Sequence, residues 1–225
     1  MRAPRTDGLV VVVGLVREGS IAAGARVAVG RRGLAERASG ARAILSFGLC
    51  GALDPALRPG DLVVARSVVD RGHDIAADEE WLRALRGALP QARVGPIAGA
   101  DAIAGTAAAK VILRRDTGAL AVDMESHAVA RAAKDAGLPF AVIRAVSDAA
   151  NRDLPRSAQA GFGPDGRPKV AAVLRALLRR PHELPALIRT ALEAERGFTA
   201  LRDARDLLGP GLGCPYLVQH AVDVV

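Results

Sequence analysis

The sequence predicts an α/β fold in which helices cover both faces of a sheet. Short apolar runs with little polar alternation occur at Leu9–Val13, Ala43–Phe47 and Phe140–Val146, which is typical of strands buried on both sides. The segments between them repeat apolar residues at helical spacing and stop at Gly or Pro. With 225 residues, 50% of them hydrophobic, one domain over residues 1–225 can bury a full core.

The segment from Ala119 to Pro155 combines two strands, one helix and several acids. Leu120–Val122 is predicted to be a buried strand that runs into an acidic turn. Between Ser126 and Ala136 the apolar residues share one helical face. Gly137 suits a left-handed helix cap, and Pro139 prevents the helix from continuing.

Three carboxylates follow these two strands directly. Asp123 and Glu125 lie where the first strand meets the helix, and Asp148 lies where the strand Phe140–Val146 ends. Ligands of a doubly covered sheet bind at the carboxyl ends of its strands, and a helix start adds free N–H groups. Because capping does not require three acids, we expect a binding or catalytic site at this edge.

Two motifs in this segment, Val122–Ser126 and Val142–Asp148, resemble the paired signature of the purine nucleoside phosphorylase and methylthioadenosine nucleosidase superfamily. Gly48–Leu53 and Leu57–Val64 match two further motifs of that superfamily, so the resemblance covers residues 9–180. It implies a single three-layer α/β/α domain with a central mixed, largely parallel sheet. It also implies cleavage of an N-glycosidic bond and a homo-oligomer.

The same resemblance implies a role for each residue of the two motifs. Glu125 would grip the ribose hydroxyls, with Met124 packed against the sugar. Asp148 would protonate N7 of the purine, and Ser147 would orient it. Arg144 would face phosphate or the attacking water. The structural alternatives are a capping acid for Asp148 and a buried ion pair for Arg144.

The expected loop at residues 15–20 carries Arg17 and Glu18. Superfamily members place either a catalytic glutamate or phosphate-binding groups here, so Glu18 is the candidate for activating water and Arg17 for binding phosphate. Aligned on Gly14 without gaps, the nucleosidase glutamate falls on Gly19, one residue later. A solvated loop acid is therefore the alternative for Glu18.

Gly48 and Ile103 complete the predicted substrate site. Gly48 lets the backbone approach a ligand closely, and Gly99–Ile103 resembles the turn that lines the base pocket in this superfamily. Leu49 replaces the nucleosidase serine, and Ile103 replaces the usual aromatic residue. Both departures predict a more apolar pocket.

The composition limits the classes of binding partner and the cellular location that we expect for the protein. The net charge is +7, but the arginines are dispersed and aromatic residues make up only 3%, so no nucleic-acid partner is predicted. Cys50 and Cys214 form no metal or disulfide pattern, and His73 lies among acids in a predicted loop without ligand spacing. Leu9–Val13 is too short for a membrane span. We therefore expect a cytoplasmic protein without a metal or cofactor, with inorganic phosphate as a candidate co-substrate.

The helices predicted from about residue 168 onward are rich in arginine. The sequence predicts no structure or role for the tail, residues 209–225. A covering helix pair is expected, or alternatively a basic apolar surface at the inner membrane face. Together with the apolar replacements, this region is most similar to the hopanoid-associated phosphorylases, which implies removal of adenine from adenosylhopane. A methylthioadenosine-type nucleosidase, a non-catalytic nucleoside-binding protein and the choice between phosphate and water all remain open.

Overall fold

The computed structural model describes residues 6, 8–161, 167 and 169–217. Strands and helices alternate along the chain, as an α/β fold requires. The strands are β1 (Leu9–Val13), β2 (Arg26–Val29), β3 (Ala43–Ala52), β4 (Leu62–Asp70), β5 (His73–Ala76), β6 (Arg93–Gly99), β7 (Ala121–Asp123) and β8 (Phe140–Asp148). The helices are α1 (Val16–Ile21), α2 (Leu34–Ala38), α3 (Glu79–Ala88), α4 (Ala107–Thr117), α5 (Ser126–Ala136), α6 (Arg156–Gln159), α7 (Val170–Arg179) and α8 (Leu184–Leu208).

One mixed sheet joins the described strands. Its hydrogen-bonded order is β2-β1-β3-β7-β6-β4-β5, and β8 pairs with both β3 and β4. Five of the strand pairs are parallel and three are antiparallel. Because β8 joins β3 to β4 on one side and β7 with β6 joins them on the other, this part of the sheet closes on itself. The predicted mixed, largely parallel sheet is confirmed, whereas its closure was not predicted.

Helices cover both faces of the sheet, and β1 shows why its apolar run has no alternation. Val11 belongs to the cluster that contains Phe198 of α8, and the next residue, Val12, belongs to the cluster that contains Val129 of α5. All of these except Phe198, which is 6% exposed, are fully buried. Burying a side chain of this size contributes about 1.5–3 kcal/mol, so both faces of β1 favour the three-layer arrangement.

Two predicted loops have regular structure instead. Residues 15–20 were expected to be a loop, but Val16–Ile21 form α1, because the carboxylate of Glu18 accepts the N–H groups that precede the helix. The segment around His73 forms the β4–β5 hairpin, with Arg71 and Gly72 at φ values of 49° and 81° in its turn. Both structures depend on local hydrogen bonds that hydropathy does not reveal.

The C-terminal region divides into an exposed part and a buried part. Helix α7 has no fully buried residue, and Leu178 is 84% exposed. The second half of α8 packs on the sheet through Leu201 and Ala204. Of the tail, Leu212 is buried and its carbonyl accepts the Trp81 indole N–H at 3.3 Å, while residues 218–225 lie outside the described residues. None of the helices in the described ranges has the length and apolar character needed to cross a bilayer.

Candidate active site

The carboxyl ends of the strands surround a cavity of about 250 Å³. Its lining comes from β1 with α1, from the ends of β3, β7 and β8, from the segment before α4, and from α8. The lining residues are Gly14, Leu15, Glu18, Leu49, Cys50, Gly51, Ala102, Ile103, Ala104, Val122, Asp123, Met124, Glu125, Ser147, Asp148, Leu154, Thr190, Ala194 and Phe198. The wall is largely apolar, so the carboxylates in it interact with a ligand more strongly than they would in water.

Glu18 enters the cavity wall from the first turn of α1 and is only 2% exposed. Its Oε2 accepts hydrogen bonds from the backbone N–H groups of Gly14 and Leu15 at 2.8 and 2.7 Å, and its Oε1 accepts one from Leu49 at 2.8 Å. Burial raises the pKa of Glu18, although the Arg144 guanidinium and these N–H groups oppose the rise. The carboxyl group is thus fixed in place and unusually basic, which suits a proton acceptor.

Glu125 lies at the junction of β7 and α5, close to the backbone of Gly14. A Cβ atom on Gly14 would come within 2.9 Å of Glu125 Oε2, so the glycine leaves the space that this carboxylate occupies. Burial raises the pKa of Glu125 to about 7, even though Arg144 opposes the rise with Nη2 at 3.7 Å from Oε2. The neighbouring Asp123 and Glu18 carboxylates also contribute to this rise.

Arg144 is fully buried behind these acids, and its guanidinium forms an ion pair with Asp123. Nη2 donates to Ser46 Oγ at 2.6 Å and to Ser126 Oγ at 3.3 Å, and Nη1 donates to the carbonyl of Leu49 at 3.3 Å. Arg144 is not among the described residues that line the cavity. The Arg144 guanidinium therefore offsets the negative charge of Asp123, Glu125 and Glu18 without itself lining the cavity.

Gly48 and Arg17 are likewise not among the described residues that line the cavity. A Cβ atom on Gly48 would come within 2.6 Å of the Glu18 carboxyl carbon, so Gly48 provides room for that acid. The Arg17 guanidinium pairs with Glu195, with Nη2 at 2.6 Å from Oε2, and stacks 4.0 Å over the Phe198 ring. Phosphate binding by Arg17 or by Arg144 stays a prediction.

Asp148 and Ser147 line the cavity at the end of β8. Ser147 Oγ lies within hydrogen-bond distance of Asp148 Oδ1, at 2.8 Å, and of the Cys50 carbonyl, at 3.1 Å. Asp148 Oδ2 accepts a hydrogen bond from the buried Lys110 ammonium of α4. Lys110 was not predicted from the sequence. Hydropathy would place the apolar Val111 inside and the charged Lys110 outside, whereas in the structure Val111 is exposed and Lys110 is buried.

Further predicted residues line the same cavity, and α8 adds residues that were not predicted. Met124 and Ile103 are in the wall, as expected for substrate contacts, although their roles are untested. Phe198, Thr190 and Ala194 of α8 also line it, so an aromatic ring reaches the site from a helix that the sequence assigned to covering the sheet. Across the described ranges, no group of three or more His, Cys, Asp or Glu side chains is placed to hold a metal ion.

Two solved structures have a similar fold. An S. pneumoniae structure of 5′-methylthioadenosine/S-adenosylhomocysteine nucleosidase with a transition-state inhibitor is 19% identical, with a TM-score of 0.62 over 91% of this chain and 98% of that one. A futalosine hydrolase structure from Helicobacter pylori is 18% identical, with a TM-score of 0.59 over 77% of this chain and 98% of that one. At these identities the likeness shows the fold alone.

Sequence comparison reaches further but covers part of each relative. A 5′-methylthioadenosine/S-adenosylhomocysteine nucleosidase from Staphylococcus haemolyticus is 30% identical over 130 residues, 48% of this chain and 57% of the relative. The corresponding protein of a Marinomonas species is 31% identical over 137 residues, 51% of this chain and 59% of the relative. The chain thus matches less than two thirds of the length of either relative. The profile of the phosphorylase superfamily matches residues 8–179, so the chain belongs to the phosphorylase superfamily.

Proposed function

We propose that this protein cleaves the N-glycosidic bond of a purine nucleoside and releases adenine. Four carboxyl groups lie in the wall of one largely apolar cavity, and Asp123 among them is paired with Arg144. The observation that carries the proposal is the presence of the other three there, Glu18, Glu125 and Asp148. Cleaving this bond needs an acid for the leaving base, a group that favours positive charge on the ribose, and an activated nucleophile. The three carboxyl groups match these three requirements.

Each acid has its own task in the proposed reaction. Glu125 accepts hydrogen bonds from the ribose hydroxyls while Met124 packs against the sugar, and each charged hydrogen bond contributes about 1.5–3 kcal/mol. Asp148, oriented by Ser147, protonates N7 of the purine, which is worth about 10²–10⁴ in rate. Glu18 takes a proton from the nucleophile, in keeping with the direction of its pKa.

Water is the nucleophile that we favour over phosphate. The two arginines that the sequence offers for phosphate are already engaged, Arg144 with Asp123 and Arg17 with Glu195. The raised pKa of Glu18 suits removal of a proton from water. The relatives that match in sequence are named nucleosidases, which also favours hydrolysis. Dependence of the rate on added phosphate would reverse this choice.

A lipid-linked nucleoside, adenosylhopane, is the substrate that we propose. The largely apolar wall supports it. An exposed apolar stripe at four-residue spacing on α7 and on α8, the latter a helix that lines the cavity, also supports it; the stripe is formed by Val170, Leu174, Leu178, Leu184, Ile188 and Leu192. Residues 167–192 carry six cations and a single acid, Glu183, whereas the whole chain has a net charge of +7. A cationic and apolar face of this kind suits an anionic bilayer at the inner membrane surface. Methylthioadenosine is the alternative substrate, supported by the names of the sequence relatives.

Membrane docking is tested with sedimentation of phosphatidylglycerol-containing and pure phosphatidylcholine vesicles. The variant is Leu178→Ser, and its matched control is Leu207→Ser, which removes a leucine that is 62% exposed near the end of α8. We expect binding to the anionic vesicles only, lost in Leu178→Ser and kept in the control. If Leu178→Ser instead dissociates a homo-oligomer, as light scattering would show, the stripe covers a second copy and the membrane proposal fails.

The activity itself is tested by adenine release from the purified protein, followed by chromatography. Adenosylhopane in detergent and methylthioadenosine are offered separately, each with and without phosphate. The control is Asp148→Asn, which removes the acidic proton, and we expect a loss of about 10²–10⁴ in rate. Binding of both nucleosides without cleavage would support a non-catalytic nucleoside-binding protein instead.

A further inference from the structure

Lys110 is a lysine whose side chain is 1% exposed, in the first turn of α4. Its ammonium group donates to Asp148 Oδ2, to the Ala149 carbonyl at 2.8 Å and to the Arg152 carbonyl at 3.2 Å. A lysine ammonium has three N–H donors and no acceptor. The three acceptors therefore match the charged form of Lys110 one for one, and a neutral amine would leave one of them without a donor.

The ammonium determines which oxygen of Asp148 is free for substrate. Oδ2 is occupied by Lys110, whereas Oδ1 lies 2.8 Å from Ser147 Oγ, whose one hydroxyl proton also reaches the Cys50 carbonyl at 3.1 Å. Gly51 allows this placement, because a Cβ atom there would come within 3.2 Å of Oδ2. With Oδ2 committed to the lysine, Oδ1 beside Ser147 is the oxygen available to the cavity.

Lys110 also ties together two walls of the cavity. Ile103 and Ala104 line it just before α4 begins, and Asp148 lines it at the end of β8. Further bonds join the same two segments: the Ala107 N–H donates to Asp153 Oδ1 at 2.7 Å, and the Leu154 N–H donates to the Gly105 carbonyl at 2.8 Å. The lysine is the charged member of this set, and its charge lies directly against the acid.

We propose that Lys110 is a positioning residue that makes Asp148 an effective proton donor; this inference rests on the proposed glycosidic cleavage. In the reaction, the O–H bond of Asp148 breaks, an N7–H bond forms, and the electrons of the C–N bond pass to the purine. Water adds to the ribose carbon that the purine leaves, and Glu18 takes a proton from it. Asp148 is left as a carboxylate in an apolar wall, and the proton held by Glu18 returns to it through solvent. The adjacent ammonium stabilises that carboxylate as its charge develops.

The test compares two leaving groups, because only one of them needs a proton. Adenine leaves after protonation at N7, whereas para-nitrophenolate leaves from para-nitrophenyl riboside without a proton. The variants are Lys110→Met, which removes the charge, and Lys110→Gln, which keeps two donors and serves if the methionine variant does not fold. The matched control is Arg114→Met, a cation on the same helix whose partner is Asp54. Asp148→Asn gives the reference for loss of the acid.

We expect Lys110→Met to lower kcat/KM for the adenine nucleoside by about 10²-fold, while cleavage of para-nitrophenyl riboside stays near the wild-type rate. The fall should lie in kcat rather than in KM, and Arg114→Met should change neither substrate. Equal losses on both substrates would show that Lys110 only maintains the fold, and no loss on either would show that Asp148 works without it. Either result overturns the inference. A wild-type protein that cleaves para-nitrophenyl riboside but no adenine nucleoside overturns it as well, and one that cleaves neither refutes the proposed activity itself.

Discussion

Replacing Glu125 by glutamine should stabilise the folded protein while removing its activity. Burial raises the pKa of Glu125 from its ordinary value of 4.5 to about 7. A tenfold change in proton affinity corresponds to about 1.4 kcal/mol. Keeping Glu125 ionised in the folded protein therefore costs about 3 kcal/mol at pH values above its folded pKa. Glutamine is uncharged and avoids that cost.

The sign of the effect follows from proton binding in the two states. At low pH both the folded and the unfolded protein hold the Glu125 proton, so burial costs nothing. As the pH rises from about 4.5 to about 7, the unfolded chain loses this proton first, and the free energy of unfolding falls. The advantage of Glu125→Gln should therefore be absent near pH 4 and reach about 3 kcal/mol near pH 8.

Urea unfolding at the two pH values measures this difference. Glu36→Gln makes the same chemical change at an exposed position of α2, and we expect it to alter stability little at either pH. Adenine release by Glu125→Gln should fall by about 10²-fold, because the ribose hydroxyls lose a charged acceptor. A glutamine variant that is less stable than the wild type at alkaline pH would refute the argument, since Glu125 would then be favourably ionised in the fold.

Three other perturbations test the surroundings of the acids. Gly48→Ala should displace the Glu18 carboxyl group, which lowers activity and reduces the free energy of unfolding in a thermal melt by about 1–3 kcal/mol. Gly87→Ala should not lower stability, because no atom lies within 4 Å of the added Cβ. Arg144→Met should cost about 3–5 kcal/mol in urea unfolding, because it leaves the buried acids without their cation; a near-neutral result would contradict the ion pair. Burial raises the pKa of the Cys50 thiol, so iodoacetamide should label it only after unfolding, and labelling of the native protein would show that the strand end opens.

Much of the fold could be predicted because its signals are local. The unbroken apolar run of β1 indicated burial on two faces, and Gly137, at a φ of 63°, ends α5 as expected. The acids of the site could be predicted for a similar reason. A residue that closely follows a buried strand must lie at the carboxyl edge of the sheet, and Glu125 and Asp148 both line the cavity there.

The remaining features depend on contacts between distant segments, which no local pattern records. The lysine of α4 meets Asp148 across 38 positions of sequence, and its apolar neighbours gave the opposite indication of which face is buried. Arg144 was expected to face phosphate or water, with pairing to a helix acid as the alternative, and its partner is instead Asp123 at the end of β7. The hydrogen bonds of Glu18 turned an expected loop into α1. In each case the deciding partner could be identified only from the tertiary structure.

The position of β8 at the centre of the sheet constrains when the protein can acquire its chemistry during synthesis. Its partner β3 lies far earlier in the chain, since Ile44 is in register with Phe140, and pairings over such distances form slowly. A ribosome that has not yet extruded residues 140–148 exposes a chain with Glu18 and Glu125 but without Arg144 and Asp148. The carboxylates then repel one another with no guanidinium between them. We therefore expect the acid cluster to form only when β8 inserts, and the cavity to be complete only after α8, which supplies Thr190, Ala194 and Phe198, has also been synthesised.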